Sequence, residues 1–121
     1  MAGLESKGFG SPDETRQFAG KGKVDIVKVG GMPVGQGLFE PGWRWSVNVK
    51  PIAGTESCQA VHNGYIISGR MRVRMDDGTE GEAGPGEVVH IDAGHDAWVV
   101  GDEACVMIDF GANVGTYAKP N

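Results

Sequence analysis

The chain is short of cysteine: Cys58 and Cys105 are the only two in 121 residues. No disulfide framework of the kind that staples small secreted domains can be built from them, and both are expected to be reduced. Clustered positive charge is also missing. Lys and Arg number 11 against 16 Asp and Glu, the formal net charge is −5, and the densest basic stretch is the alternating Arg70–Met71–Arg72–Val73–Arg74. Nucleic acid and anionic membrane are therefore excluded as first-choice partners. No apolar run approaches the roughly 20 residues of a membrane-spanning helix, and the opening MAGLESKGFG has no charged-then-apolar signal pattern. The expectation is a soluble cytoplasmic protein.

Glycine is plentiful: 21 residues, more than double the usual share of about 7%. They stand between apolar runs with no fixed triplet, which points to many tight turns rather than to collagen or a disordered tract. A length of 121 residues suits one domain. Residues 1–22 are polar and Gly-rich and read as a short, partly ordered N-terminal arm; residues 23–121 read as a single domain. From Lys23 onward short segments rich in Val and Ile alternate with Gly, Pro and Asp: VDIVKV, GQGLFE, WRWSVNVK, ESCQAV, GYIIS, MRVRM, VVHI, AWVV and CVMIDF. Regular short strands separated by turn signals predict an all-β sandwich or barrel.

In MRVRM the side chains of Met71, Val73 and Met75 fall on one face and Arg72 and Arg74 on the other, the period of a half-buried strand. WRWSVNVK alternates too, with Trp43, Trp45, Val47 and Val49 against Arg44, Ser46, Asn48 and Lys50. The stretch VHNGYIISGRMRVRMDDGT reads as a hairpin, two apolar runs closed by SGR and by DDG. It opens on His62, a titratable, ligand-type residue just before a strand.

From Leu38 to Phe110 these features resemble the cupins, small double-stranded β-helices of the jelly-roll type. The resemblance rests on YIISGRMRV, on GPGEVVHIDAG and on the spacing between them. In that family two motifs supply three histidines and a glutamate that commonly hold one divalent metal. Here the frame is kept and most ligand types are not. Asn48 and Lys50 occupy the HxH places, His62 stands in the glutamate's place, and Ala97 in that of the last histidine. The chain is also similar to a bacterial cupin subgroup with the patterns PGWRWSEHVKP, SCQxxHxGYVxSGRM and PPGHDAWVVGDEP. That subgroup would carry glutamate and histidine where this chain has Val47 and Asn48.

A divalent ion needs three or four ligands converging from different strands. His95 lies two residues before Ala97, hence on the same strand face, and Glu56 and Cys58, also two apart, offer an oxygen or a thiolate. A metal site of His62, His95 and Glu56 or Cys58 is one expectation. The plainer alternative has His62 hydrogen-bonded at a strand end and His95 capping a turn, while His90 reads as an ordinary strand residue. If the HxH places face inward, Arg44, Asn48 and Lys50 line a cavity suited to a small anionic organic molecule, and Tyr65 helps to orient it. The Trp43 and Trp45 face would then point outward, an apolar patch that predicts a homodimer or cover by the N-terminal arm. Cys58 and His62 are four residues apart, but no third group that would orient a nucleophile is evident in the sequence. Two functions follow from the resemblance: a divalent-metal-dependent enzyme acting on a small molecule, or a non-catalytic ligand-binding or sensing module without metal.

Overall fold

A computed structural model describes residues 3–110 and 112–120. It contains nine strands in two antiparallel sheets: β1 (Glu14–Gln17), β2 (Gly22–Val29), β3 (Met32–Phe39), β4 (His62–Ser68), β5 (Met71–Met75), β6 (Glu80–Ala83), β7 (Val88–Ile91), β8 (His95–Val99) and β9 (Cys105–Phe110). One sheet has six strands in the order β1-β2-β3-β9-β4-β7, and the other has three in the order β6-β5-β8. No helix among the described residues is long and apolar enough to cross a membrane.

The inward faces follow the period-two pattern. His62, Gly64 and Ile66 of β4, His95, Ala97 and Val99 of β8, and Cys105, Met107 and Asp109 of β9 are buried, and their neighbours are not. Trp45, Phe39, Ile26, Ile66 and Val49 are the large side chains most fully withdrawn from water. Burying each stabilises the barrel by about 1.5–3 kcal/mol before entropy is counted. β1 lies within the segment read as the arm: it pairs along its length with β2, and the next residue, Phe18, stacks on Phe39 and meets Trp43.

Two readings of the sequence need correction. The stretch from β4 to β5 is not a hairpin. β4 pairs with β7 and β9, β5 pairs with β6 and β8, and the SGR link carries the chain from the large sheet to the small one. Gly69 makes that link possible, with φ at +73° and the backbone of Ala104 and Cys105 against the place where a Cβ would stand. Gly69→Ala combines a strained backbone with a clash against an unyielding strand, so chemical denaturation is expected to show a loss of about 2–4 kcal/mol. The DDG turn does form a hairpin, between β5 and β6.

The second correction concerns WRWSVNVK. Trp45–Asn48 is a helical turn, α1, and Lys50–Ala53 is another, α2. Trp45, Asn48 and Val49 are buried at i, i+3 and i+4, so the alternation hid a helical stripe. Pro51 near the start of α2 and Gly54 in the left-handed region at its end are the matching start and stop signals. Trp43 and Trp45 are each only 2% exposed inside the chain, so the outward tryptophan face behind the homodimer expectation does not exist. Val47 of that stretch is exposed, and further exposed large apolar side chains include Tyr65, Ile67 and Val88 on the outer face of the six-stranded sheet.

Candidate functional site

Cys58, His62 and His95 come together at one end of the barrel. All three are buried, and one donor atom from each lies within 4.8 Å of the other two. His62 opens β4 and His95 opens β8, so the pleat turns both rings inward. Cys58 is not in a regular strand. Its N–H donates to the carbonyl of His95 (2.7 Å), and its own carbonyl accepts from Gly94 (2.7 Å), a single bridge that places the thiol beside the rings. Cys58 Sγ is 3.7 Å from His62 Nε2, and the two imidazole centroids are 5.3 Å apart.

Each imidazole is fixed through its other nitrogen. His62 Nδ1 is 2.5 Å from Asp109 Oδ2, and the second oxygen of Asp109 accepts from the N–H of Asn63. His95 Nδ1 is 2.8 Å from the carbonyl oxygen of Asp92. Both Nδ1 atoms are committed to oxygens, which leaves both Nε2 atoms for whatever sits in the site. Asp109 was missed by the sequence reading, although CVMIDF carries the signal: its period of two puts an acid on the same inward face as Cys105 and Met107.

The electrostatics follow from this packing. Burial pushes the Cys58 thiol up, but hydrogen bonds with His62 and His95 outweigh it and hold the group down at about 6. Burial pushes His62 down, and hydrogen bonds to Asp109 and Cys58 raise it to about 9. Between about pH 6 and pH 9 these values make the pair a thiolate beside an imidazolium backed by Asp109. Cys105 shows the contrast, since burial, with a smaller contribution from Glu103, pushes it up to about 11.

The lumen is a cavity of about 30 Å³ with walls that include Phe39, Trp43, Trp45, Met71 and Met107, and with His62, His95 and Tyr117 also lining it. A larger cavity of about 390 Å³ lies on the other side, where Thr55, Cys58, Gln59 and Lys119 contribute walls. Trp45 and Tyr117 line both cavities and so stand between them. Tyr117 packs its ring against His62 at 4.9 Å, and burial raises its hydroxyl well above the ordinary phenol range. The segment carrying it is tied down by Arg16 of β1, which donates to the carbonyls of Val114 (3.0 Å) and Tyr117 (2.6 Å) and pairs with Glu14.

The other residues picked from the sequence are placed elsewhere. Glu56 is fully at the surface facing Lys50 (3.3 Å), so it is not a fourth donor. Arg44 lies over the Trp98 ring at 4.3 Å and pairs with Asp96. Asn48 is buried, but its Oδ1 accepts from the Arg44 N–H and its Nδ2 donates to the Ala19 carbonyl, so its side chain holds backbone together. Tyr65 faces outward from β4. The expected cluster of Arg44, Asn48, Lys50 and Tyr65 around the lumen is therefore not assembled, because a helical turn replaces the strand that would have aimed three of them inward. His90 is exposed between Asn63 and Asp92. The acids after DDG pair across strands with Arg70, Arg72 and Arg74 in surface ion pairs.

No protein-family model matches the chain, and no curated protein matches it. Solved structures do. A cupin-like protein from Thermotoga maritima MSB8 is 20% identical, with 83% of this chain and 74% of that one covered and a TM-score of 0.56. A protein with a double-stranded β-helix domain from Klebsiella pneumoniae subsp. pneumoniae MGH 78578 is 18% identical over 78% and 74%, with a TM-score of 0.55. The polyketide cyclase RemF from Streptomyces resistomycificus is 16% identical over 89% and 78%, with a TM-score of 0.61. At these identities the likeness speaks for the fold: the chain has a cupin-type fold, a small double-stranded β-helix.

Proposed function

We propose that the barrel holds a divalent metal ion on Cys58 Sγ, His62 Nε2 and His95 Nε2 and binds a small organic molecule beside it. The observation that supports this reading is the anchoring of both imidazoles through Nδ1, which leaves two nitrogen donors facing one thiol. The spacing fits. Sulfur and nitrogen donors on one tetrahedral zinc, at about 2.3 and 2.1 Å from the ion, stand about 3.6 Å apart, and Cys58 Sγ is 3.7 Å from His62 Nε2. A thiolate with two imidazoles favours zinc over magnesium or calcium, and three protein donors leave a position open. When bound, the ion supplies a Lewis acid for a carbonyl or carboxylate oxygen.

The chain's own residues do the rest. Asp109 fixes the tautomer and orientation of His62, the Asp92 carbonyl does the same for His95, and Trp45 and Tyr117 stand between the lumen and the larger cavity that Cys58 borders. Arg44 and Lys50 face surface carboxylates, so an anionic ligand would have to be matched by the ion and not by these side chains. Protein purified without an affinity tag and dialysed against zinc is expected to retain about one equivalent per chain, and His62→Ala to retain little. Sub-stoichiometric zinc in both proteins would sink the proposal.

A second reading is supported by the same groups taken in line. Cys58, His62 and Asp109 stand in the order of a nucleophile, its base and the group that orients the base. In that case the chain works without metal and Cys58 attacks an electrophilic carbon. Zinc that binds stoichiometrically and blocks alkylation of Cys58 supports the first reading; a chain that takes up no zinc and keeps a reactive Cys58 in its presence supports the second.

A further inference from the structure

Trp43 raises a separate question. It is only 2% exposed, it lines the lumen, and its Nε1 is the one buried side-chain nitrogen or oxygen among the described residues without a hydrogen-bond partner. Buried indole N–H groups usually find an acceptor, and an unmet one calls for an explanation. Packing does not supply it. Phe18 and Phe39 flank the ring at 5.7 and 4.5 Å, and a phenylalanine would meet them without burying a donor.

We propose that Trp43 Nε1 is a recognition donor, and that the lumen binds a small, neutral, mainly apolar molecule carrying a carbonyl-type oxygen that accepts this hydrogen bond. The walls around it, Phe39, Met71 and Met107 among them, offer no charge to meet an ionised ligand, and His62 is already hydrogen-bonded to Asp109. A buried donor left unmet penalises any analogue that lacks the acceptor, so it selects by chemistry where the apolar walls select only by size. The cavity, at about 30 Å³, exceeds the roughly 10–15 Å³ that one water needs, which limits the molecule to a few heavy atoms unless side chains move. The inference rests on the reading of the lumen as a small-molecule site, but not on the metal.

Nuclear magnetic resonance of the full chain, with and without added zinc, tests it. The three indole N–H signals are followed, with that of Trp43 assigned through Trp43→Phe, together with the methyl signals of Met71 and Met107. The probes are acetone, isobutene of nearly the same shape without the oxygen, and acetate. Acetone is expected to move the methyls and to shift the Trp43 N–H downfield, while isobutene moves the methyls only and acetate neither. Trp43→Phe is expected to weaken acetone relative to isobutene roughly fivefold. If acetone moves the methyls and the Trp43 N–H stays in place, the recognition role is wrong and the lumen reading survives. If acetate binds in preference, the neutral class is wrong. If no probe moves any lumen signal, both the inference and the lumen reading fall, and this result on the wild-type chain does not depend on the variant folding.

Discussion

Asp109→Asn is expected to weaken zinc binding by about 10–100-fold, the usual cost of removing the carboxylate behind a metal-bound histidine. It is also expected to destabilise the metal-free protein in a pH-dependent way. His62 titrates at about 9 in the folded chain, because the hydrogen bonds to Asp109 and Cys58 outweigh the downward push of burial, against about 6.5 when unfolded. A histidine raised on folding adds stability that is fully present below its unfolded value and is lost as the pH climbs through its folded one. The shift corresponds to about 3 kcal/mol, shared between Asp109 and Cys58. Urea unfolding should therefore show the variant about 2 kcal/mol less stable than wild type near pH 6, with the gap narrowing above pH 9. An equal deficit at both pH values would mean that Asp109 only packs and does not tune His62.

The second large effect concerns the two thiols. Iodoacetamide treatment of the metal-free protein should modify one cysteine with a pH midpoint of about 6, the value at which Cys58 is held when its hydrogen bonds with His62 and His95 outweigh burial. At pH 7 this is about a hundredfold more thiolate than a thiol titrating near 9 would offer. The sign is that of a depressed acid: the thiolate's contribution to stability is present above the unfolded value near 9 and is lost as pH falls through about 6. Cys58 borders the 390 Å³ cavity, so the reagent has a route to it. Cys105 is fully buried and pushed up to about 11, so it should stay silent. His62→Ala should move the midpoint upward, and zinc should protect Cys58. Modification of both thiols at the same rate, with a midpoint above 8, would contradict the thiolate–imidazolium description.

These residues also show what the chain discloses before it is folded. The barrel was legible because β-structure leaves a local mark. MRVRM alternates, the glycines bound the strands, and the glycine of SGR stands where the chain must turn between sheets. Gly69 gave away a turn but not its destination, since which strand pairs with which is decided by contacts far along the chain. Trp43–Lys50 misled because a period of two and a single helical turn share residues 45 and 49, and only Pro51 and Gly54 decide between them.

The site was half legible for the same reason. His62, His95 and Cys58 could be nominated by residue type, and the structure brings those three together. Glu56 could be nominated as well as Cys58, yet one faces water and the other faces the rings, a difference set by the bridge between Cys58 and His95 that no local pattern encodes. Asp109 lies 47 residues from His62, and only the adjacency of β4 and β9 joins them. Tyr117 and Arg16 meet across 101 residues, which is equally invisible in sequence.

The central claim is that Cys58, with His62 and His95, is a metal ligand, and cobalt(II) reports on that sulfur directly. Titrated into the metal-free protein, cobalt is predicted to give a thiolate-to-cobalt charge-transfer band that saturates at about one equivalent per chain. The band should be absent in Cys58→Ser, which keeps Cys105. A titration with no such band in the wild-type protein, or an undiminished band in Cys58→Ser, would contradict the account.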